Sequence, residues 1–195
     1  MNNTFKTTAQ GASNILRPKS PLVNLLLGTP MAKAPPAILK SVSVSLPFGI
    51  GSASWEADPT EQNAAWELYV ELVTRVAVQS LSAEHGTVRE AMNSLYSLFG
   101  STREILRKAG PKVGAAHDSV GGIAIAVLNR GLRPFLSKWH PLLQAWEAKR
   151  AIEVSPQAHE KAWEQEPILR RELEALRVDL ATYSEALAKI SGVEN

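Results

Sequence analysis

Histidine, arginine and carboxylate carry nearly all the chemistry this chain could do, because it contains no cysteine. Thiolate nucleophiles, disulfides, Fe–S clusters and cysteine-bound zinc are thereby excluded. The four histidines, His85, His117, His140 and His159, stand far apart, with no His-x-x-x-His pair and no Glu-x-x-His. No metal set is expected from that spacing, and no cofactor. His159, Glu160 and Glu164 lie close together and read as a solvated polar face near a helix start. No Gly-x-x-x-x-Gly-Lys-Ser/Thr loop occurs. Gly49-Ile50-Gly51-Ser52-Ala53-Ser54 lacks the third glycine of a dinucleotide-binding turn, and Gly-x-Ser-x-Gly is absent. The pairing left to weigh is Arg133 with His140.

That pair sits in Arg133-Pro134-Phe135-Leu136-Ser137-Lys138-Trp139-His140. The spacing resembles the Arg-x(4–6)-His motif of HEPN-family ribonucleases, helical bundles that cleave RNA at a dimer cleft. The resemblance implies that His140 would move protons and Arg133 would stabilise charge on the phosphorane. Two residues depart from the pattern: Pro134 stands where a polar residue is favoured, and Pro141 follows the histidine directly. Phe99-Gly100-Ser101-Thr102-Arg103-Glu104 and Leu132-Arg133-Pro134-Phe135 also resemble stretches in helical components of bacterial multigene defence operons.

Charge is unevenly spread. Residues 1–55 hold five basic side chains (Lys6, Arg17, Lys19, Lys33, Lys40) and no acid, and six of the twelve prolines. They read as a basic, proline-rich arm in which long helices cannot form. Within it Ser41-Val42-Ser43-Val44-Ser45-Leu46 alternates with the period of a half-buried strand. Such a strand must pair with another part of the arm, with the body or with another chain, so Val42, Val44 and Leu46 are candidates for contact. Arg103, Arg107, Lys108 and Lys112 form a second basic cluster, at the end of a helix, where cations are favoured in any case. Nucleic acid is therefore the less favoured partner.

Residues 56–195 carry helical periodicity almost throughout, and the expected fold class is all-α, an up-and-down four-helix-type bundle with kinked third and fourth helices. Asp58-Pro59 starts the first helix, whose expected stripe includes Trp66, Tyr69, Val70, Val73, Val76, Ala77 and Leu81. Thr87 caps the second helix and Gly110-Pro111 ends it. Asp118 is expected to cap a third, whose phase survives Pro134 and Pro141, and Gly121-Gly122 permits close backbone approach there. Ser155-Pro156 starts the last region, with Pro167 kinking or restarting it. Beyond it, Leu169, Leu173, Leu176, Leu180, Tyr183, Leu187 and Ile190 form a heptad seam. The seam serves either the bundle or a coiled coil between chains, in which Glu172 and Arg177 could pair across a parallel dimer. Trp66, Trp139 and Trp146 are expected in the core, and Trp163, on a charged stretch, is an interface anchor if exposed.

No apolar run reaches the roughly 18 residues that span a bilayer, and a cytoplasmic location is expected. The expected function is non-enzymatic: a scaffold, adaptor or regulatory subunit that binds another protein chain or a second copy through the arm and the last helix. A HEPN-like ribonuclease using Arg133 and His140 is the second reading, and a structural component of a particle or filament the third.

Overall fold

Alternation of serine with valine in Val42–Leu46 makes strand β1, which pairs antiparallel with β2, Gly51–Trp55, in the register Val42↔Trp55 through Leu46↔Gly51. These strands open the part of the chain that the computed structural model describes, residues 41–56, 58–75, 78–79 and 86–193, all within a compact unit of residues 37–195. The rest of the basic arm, together with Val76, Ala77, Leu81 and His85, lies outside the described residues. At the hairpin tip Phe48 and Gly49 both adopt positive φ, at 59° and 66°, which matches the right-handed twist of the strands. The inner face of β1 (Val42, Val44, Leu46) is buried and packs on the last helix.

The remainder is mostly helical, as the periodicity predicts. Helix α1, Pro59–Val73, starts on Asp58, whose carboxylate accepts from the Thr60 and Glu61 amides at 2.9 and 3.0 Å. Helix α2, Val88–Ala109, starts on a reciprocal capping box of Thr87 and Glu90 and ends at Gly110, with φ of 85°. A short 3-10 turn at Pro111–Gly114 leads to α3, Val120–Ala126. Its cap is Ser119 rather than Asp118: the Ser119 hydroxyl accepts from the Gly122 amide at 3.1 Å, while Asp118 is exposed. Helix α3 continues without reversal through a π-helical stretch, Val127–Leu132, into α4, Arg133–Glu147. Pro134 has no amide to give to the preceding turn. The widened turn before it, in which the Arg133 amide bonds the Leu128 carbonyl five residues back, carries the helix past that gap. After α5, Pro156–Lys161, the chain restarts with Pro167 in the first turn of α6, Glu166–Ser191.

The core lies between α6, α1 and β1, and extends under α2 and α3. In α6 the whole heptad seam is buried. Facing it, α1 presents Ala64, Ala65, Leu68 and Leu72. The two alanines let the helices approach closely, and they set the phase of α1 differently from the expected stripe. Trp66 and Val70 therefore fall on its outer side, 45% and 37% exposed. Helices α2 and α4 run antiparallel, since Arg89 meets Glu147, Tyr96 meets His140, and Phe99 meets Arg133. Among the described residues no helix is long and apolar enough to cross a membrane.

Candidate functional site

Arg133 and His140 both lie on the side of α4 that meets α2, two helical turns apart. The Arg133 guanidinium sits over the Phe99 ring, 5.4 Å from its centroid, with Nε donating to Asn129 at 3.1 Å. His140 packs edge-on to Tyr96, its Nδ1 3.2 Å from an Arg89 guanidinium nitrogen. Because a guanidinium only donates, Nδ1 accepts and the proton of the neutral ring belongs on Nε2. That Nε2 is buried without a hydrogen-bond partner among the described residues. Burial, and then the Arg89 charge, hold the His140 pKa below its ordinary 6.5, against an opposing pull from Glu147. Arg89 is anchored by a bidentate pair with Glu147, at 2.7 and 2.6 Å. No group of three or more metal-ligating side chains exists among the described residues.

The residues nominated for contact with another chain are all interior. Val42, Val44, Leu46 and the seven seam positions are buried within this chain. Trp163 is 7% exposed, edge-on to Trp139 and stacked on Trp146. Glu172 spends its carboxylate on Lys138 and on the Trp139 indole N–H, at 2.6 and 2.8 Å, and Arg177 pairs with Glu174 one turn away. Glu160 shows why short α5 is held so firmly. Its carboxylate accepts from the Val88 and Arg89 amides at 2.7 and 3.3 Å, at the start of a helix 72 and 71 positions earlier, and Arg170 lies 3.6 Å away. Burial nonetheless raises its pKa. His159 and Glu160 thus belong to packing rather than to a solvated face. The His159 ring stacks on Trp146 with centroids 4.6 Å apart.

Two open surfaces lie on either side of α2. Toward α1, a groove of about 420 Å³ is lined by Trp66, Val70 and Ile105, with Glu104 exposed at its edge. Glu67 and Lys108 bridge it at 2.7 Å. The sequence placed Trp66 in the core, and only the burial of Ala64 and Ala65 against α6 shows otherwise. Toward α4, Arg89, Asn93, Tyr96, Gly100, Arg103 and Arg107 recur at alternating spacings of four and three along one side of α2. Tyr96 is 64% exposed. The basic cluster read from the sequence divides here: Lys108 pairs with Glu67 and Lys112 with Asp58, whereas Arg103 and Arg107 make no ion pair among the described residues.

Compared with known protein families, with curated proteins and with solved structures, the chain matches none.

Proposed function

We propose that this protein acts by binding another protein chain, and that the groove between α1 and α2 is the contact. The observation that carries this is Trp66: a large aromatic side chain 45% exposed beside the exposed Val70, at the mouth of a formed groove. Tryptophan is among the residues most enriched as interface anchors. The groove also selects its occupant. Glu104 has no cationic partner among the described residues and stands beside an aromatic face. A segment that places an aliphatic side chain between Val70 and Ile105 and a Lys or Arg against Trp66 and Glu104 satisfies both. The partner is thus a basic, amphipathic segment. The coiled-coil route is no part of the proposal, because the α6 seam already packs on α1 and β1. Cleavage of RNA by Arg133 and His140 would need His140 Nε2 to reach a ribose hydroxyl, and in this chain that atom is buried.

Selection of peptides from a random display library on the full-length chain tests the reading. The expected binders combine Lys or Arg with an aliphatic residue, and lose binding to both Trp66→Ser and Glu104→Lys. Binders that are indifferent to both substitutions, or that lack cations, would refute it.

A further inference from the structure

On the opposite side of α2 a second surface stands apart from the groove. Tyr96, Arg103 and Arg107 follow one another along a single exposed stripe that contains no acidic residue. At 1.5 Å per residue they span roughly 16 Å of helix. Antiparallel α4 adds Arg133, exposed, with its guanidinium over Phe99. Phe99 in turn contacts the Tyr96 ring, with centroids 6.2 Å apart. Three arginines and an open aromatic ring therefore converge on one face, and none of the three is neutralised by a carboxylate among the described residues. Glu147 holds Arg89, Glu67 takes Lys108 of α2 and Asp58 takes Lys112 in the turn after it; Glu104, one turn before Arg107, belongs to the lining of the groove.

We infer that this α2–α4 face binds single-stranded nucleic acid. Guanidinium groups contact phosphates without reading sequence, and a phenol ring that is two-thirds exposed gives an unpaired base a platform to stack on. A duplex would leave Tyr96 unused, because its bases are already stacked. An acidic peptide would engage the arginines but not the ring. The binding is sequence-tolerant, since every base has a face to stack and no side chain in the stripe is fixed against a base edge. This surface does not depend on the groove, and Trp66→Ser leaves it intact.

The test is fluorescence anisotropy of labelled oligo(U) and oligo(dT) with the full-length chain, from 50 to 300 mM salt. The five cations of residues 1–40 contribute equally to every variant, so only differences between variants are read. Each phosphate contact to a single strand adds about 0.7 to the slope of log affinity against log salt. Replacing Arg103 and Arg107 together by Gln is expected to flatten that slope by about 1.4. Tyr96→Ala is expected to weaken binding roughly five- to 150-fold at fixed salt, the range of one lost base stack. All three positions are exposed, and unchanged urea midpoints verify the fold. An unchanged slope in the arginine variant would overturn the inference. So would full affinity in Tyr96→Ala, or displacement of the oligonucleotide by polyglutamate as readily as by unlabelled oligo(U), either of which would make the surface a site for polyanions in general.

Discussion

Gly122→Ala is the sharpest single perturbation of this fold. Gly122 lies in the first turn of α3, where the preceding loop folds back over the helix. A Cβ there would stand 2.9 Å from the His117 carbonyl oxygen and closer still to that of Ala116. Both obstacles are backbone, so no rotamer change relieves them. Either the loop or the helix start must shift by about 1 Å to restore ordinary contact. The strain of such overpacking is typically ~1–3 kcal/mol. The same shift pulls on the 3.1 Å bond from the Gly122 amide to the Ser119 hydroxyl, a cap worth ~1 kcal/mol. Helix propensity returns ~1 kcal/mol for Gly to Ala. The net expectation is a loss of about 2 kcal/mol. Gly100→Ala is the control. Gly100 sits in the middle of α2 with nothing within 4 Å of its added Cβ, so only the propensity gain operates, about 0.5–1 kcal/mol of stabilisation. Equilibrium urea unfolding of the two variants should move the midpoint in opposite directions. If Gly122→Ala were as stable as Gly100→Ala, the loop at Ala116–His117 would not be seated on α3, and the account of how α3 is positioned would fail.

Tyr183→Phe tests the interior. Its hydroxyl is fully buried with no partner among the described residues, so removing it should raise stability by ~1 kcal/mol in thermal unfolding, and a loss of that size would show that the hydroxyl is satisfied. His140 gives a pH dependence whose sign follows from its lowered pKa. Below 6.5 the unfolded chain takes up a proton that the folded chain resists, so stability should fall as pH drops from 6.5 through the folded-state pKa. His140→Gln should flatten that part of the profile. An NMR titration placing His140 above 6.5 would contradict the burial and the Arg89 contact on which this rests.

Much of the scaffold was legible locally. Asp58-Pro59, Thr87 and Ser155-Pro156 each mark a helix start through backbone amides that one nearby side chain satisfies, and Gly110-Pro111 marks an end through a positive φ and a missing amide, so position in sequence suffices to read them. The seam of α6 was equally plain, because seven apolar positions at alternating spacings fall on one face of the helix. Asp118 was read as the α3 cap, one residue early, since Asp and Ser cap equally well and only the chain path selects Ser119. Trp66 was misplaced because α1 is apolar around much of its girth. Periodicity then admits more than one phase, and the choice fell to the close approach that Ala64 and Ala65 allow.

Residue types and their order thus determined which segments coil, where most of them begin, that thiol chemistry is absent, and which cations stand near one another on a helix. Tertiary packing decided which of those features reach solvent. It buried the heptad seam and the inner face of β1 inside the chain, paired Lys108 with α1 and Lys112 with its cap, and left Arg103, Arg107, Arg133 and Tyr96 together in the open. The reason is that availability to a partner depends on what a face is packed against. Residues separated by tens of positions determine that packing, and no local pattern records it.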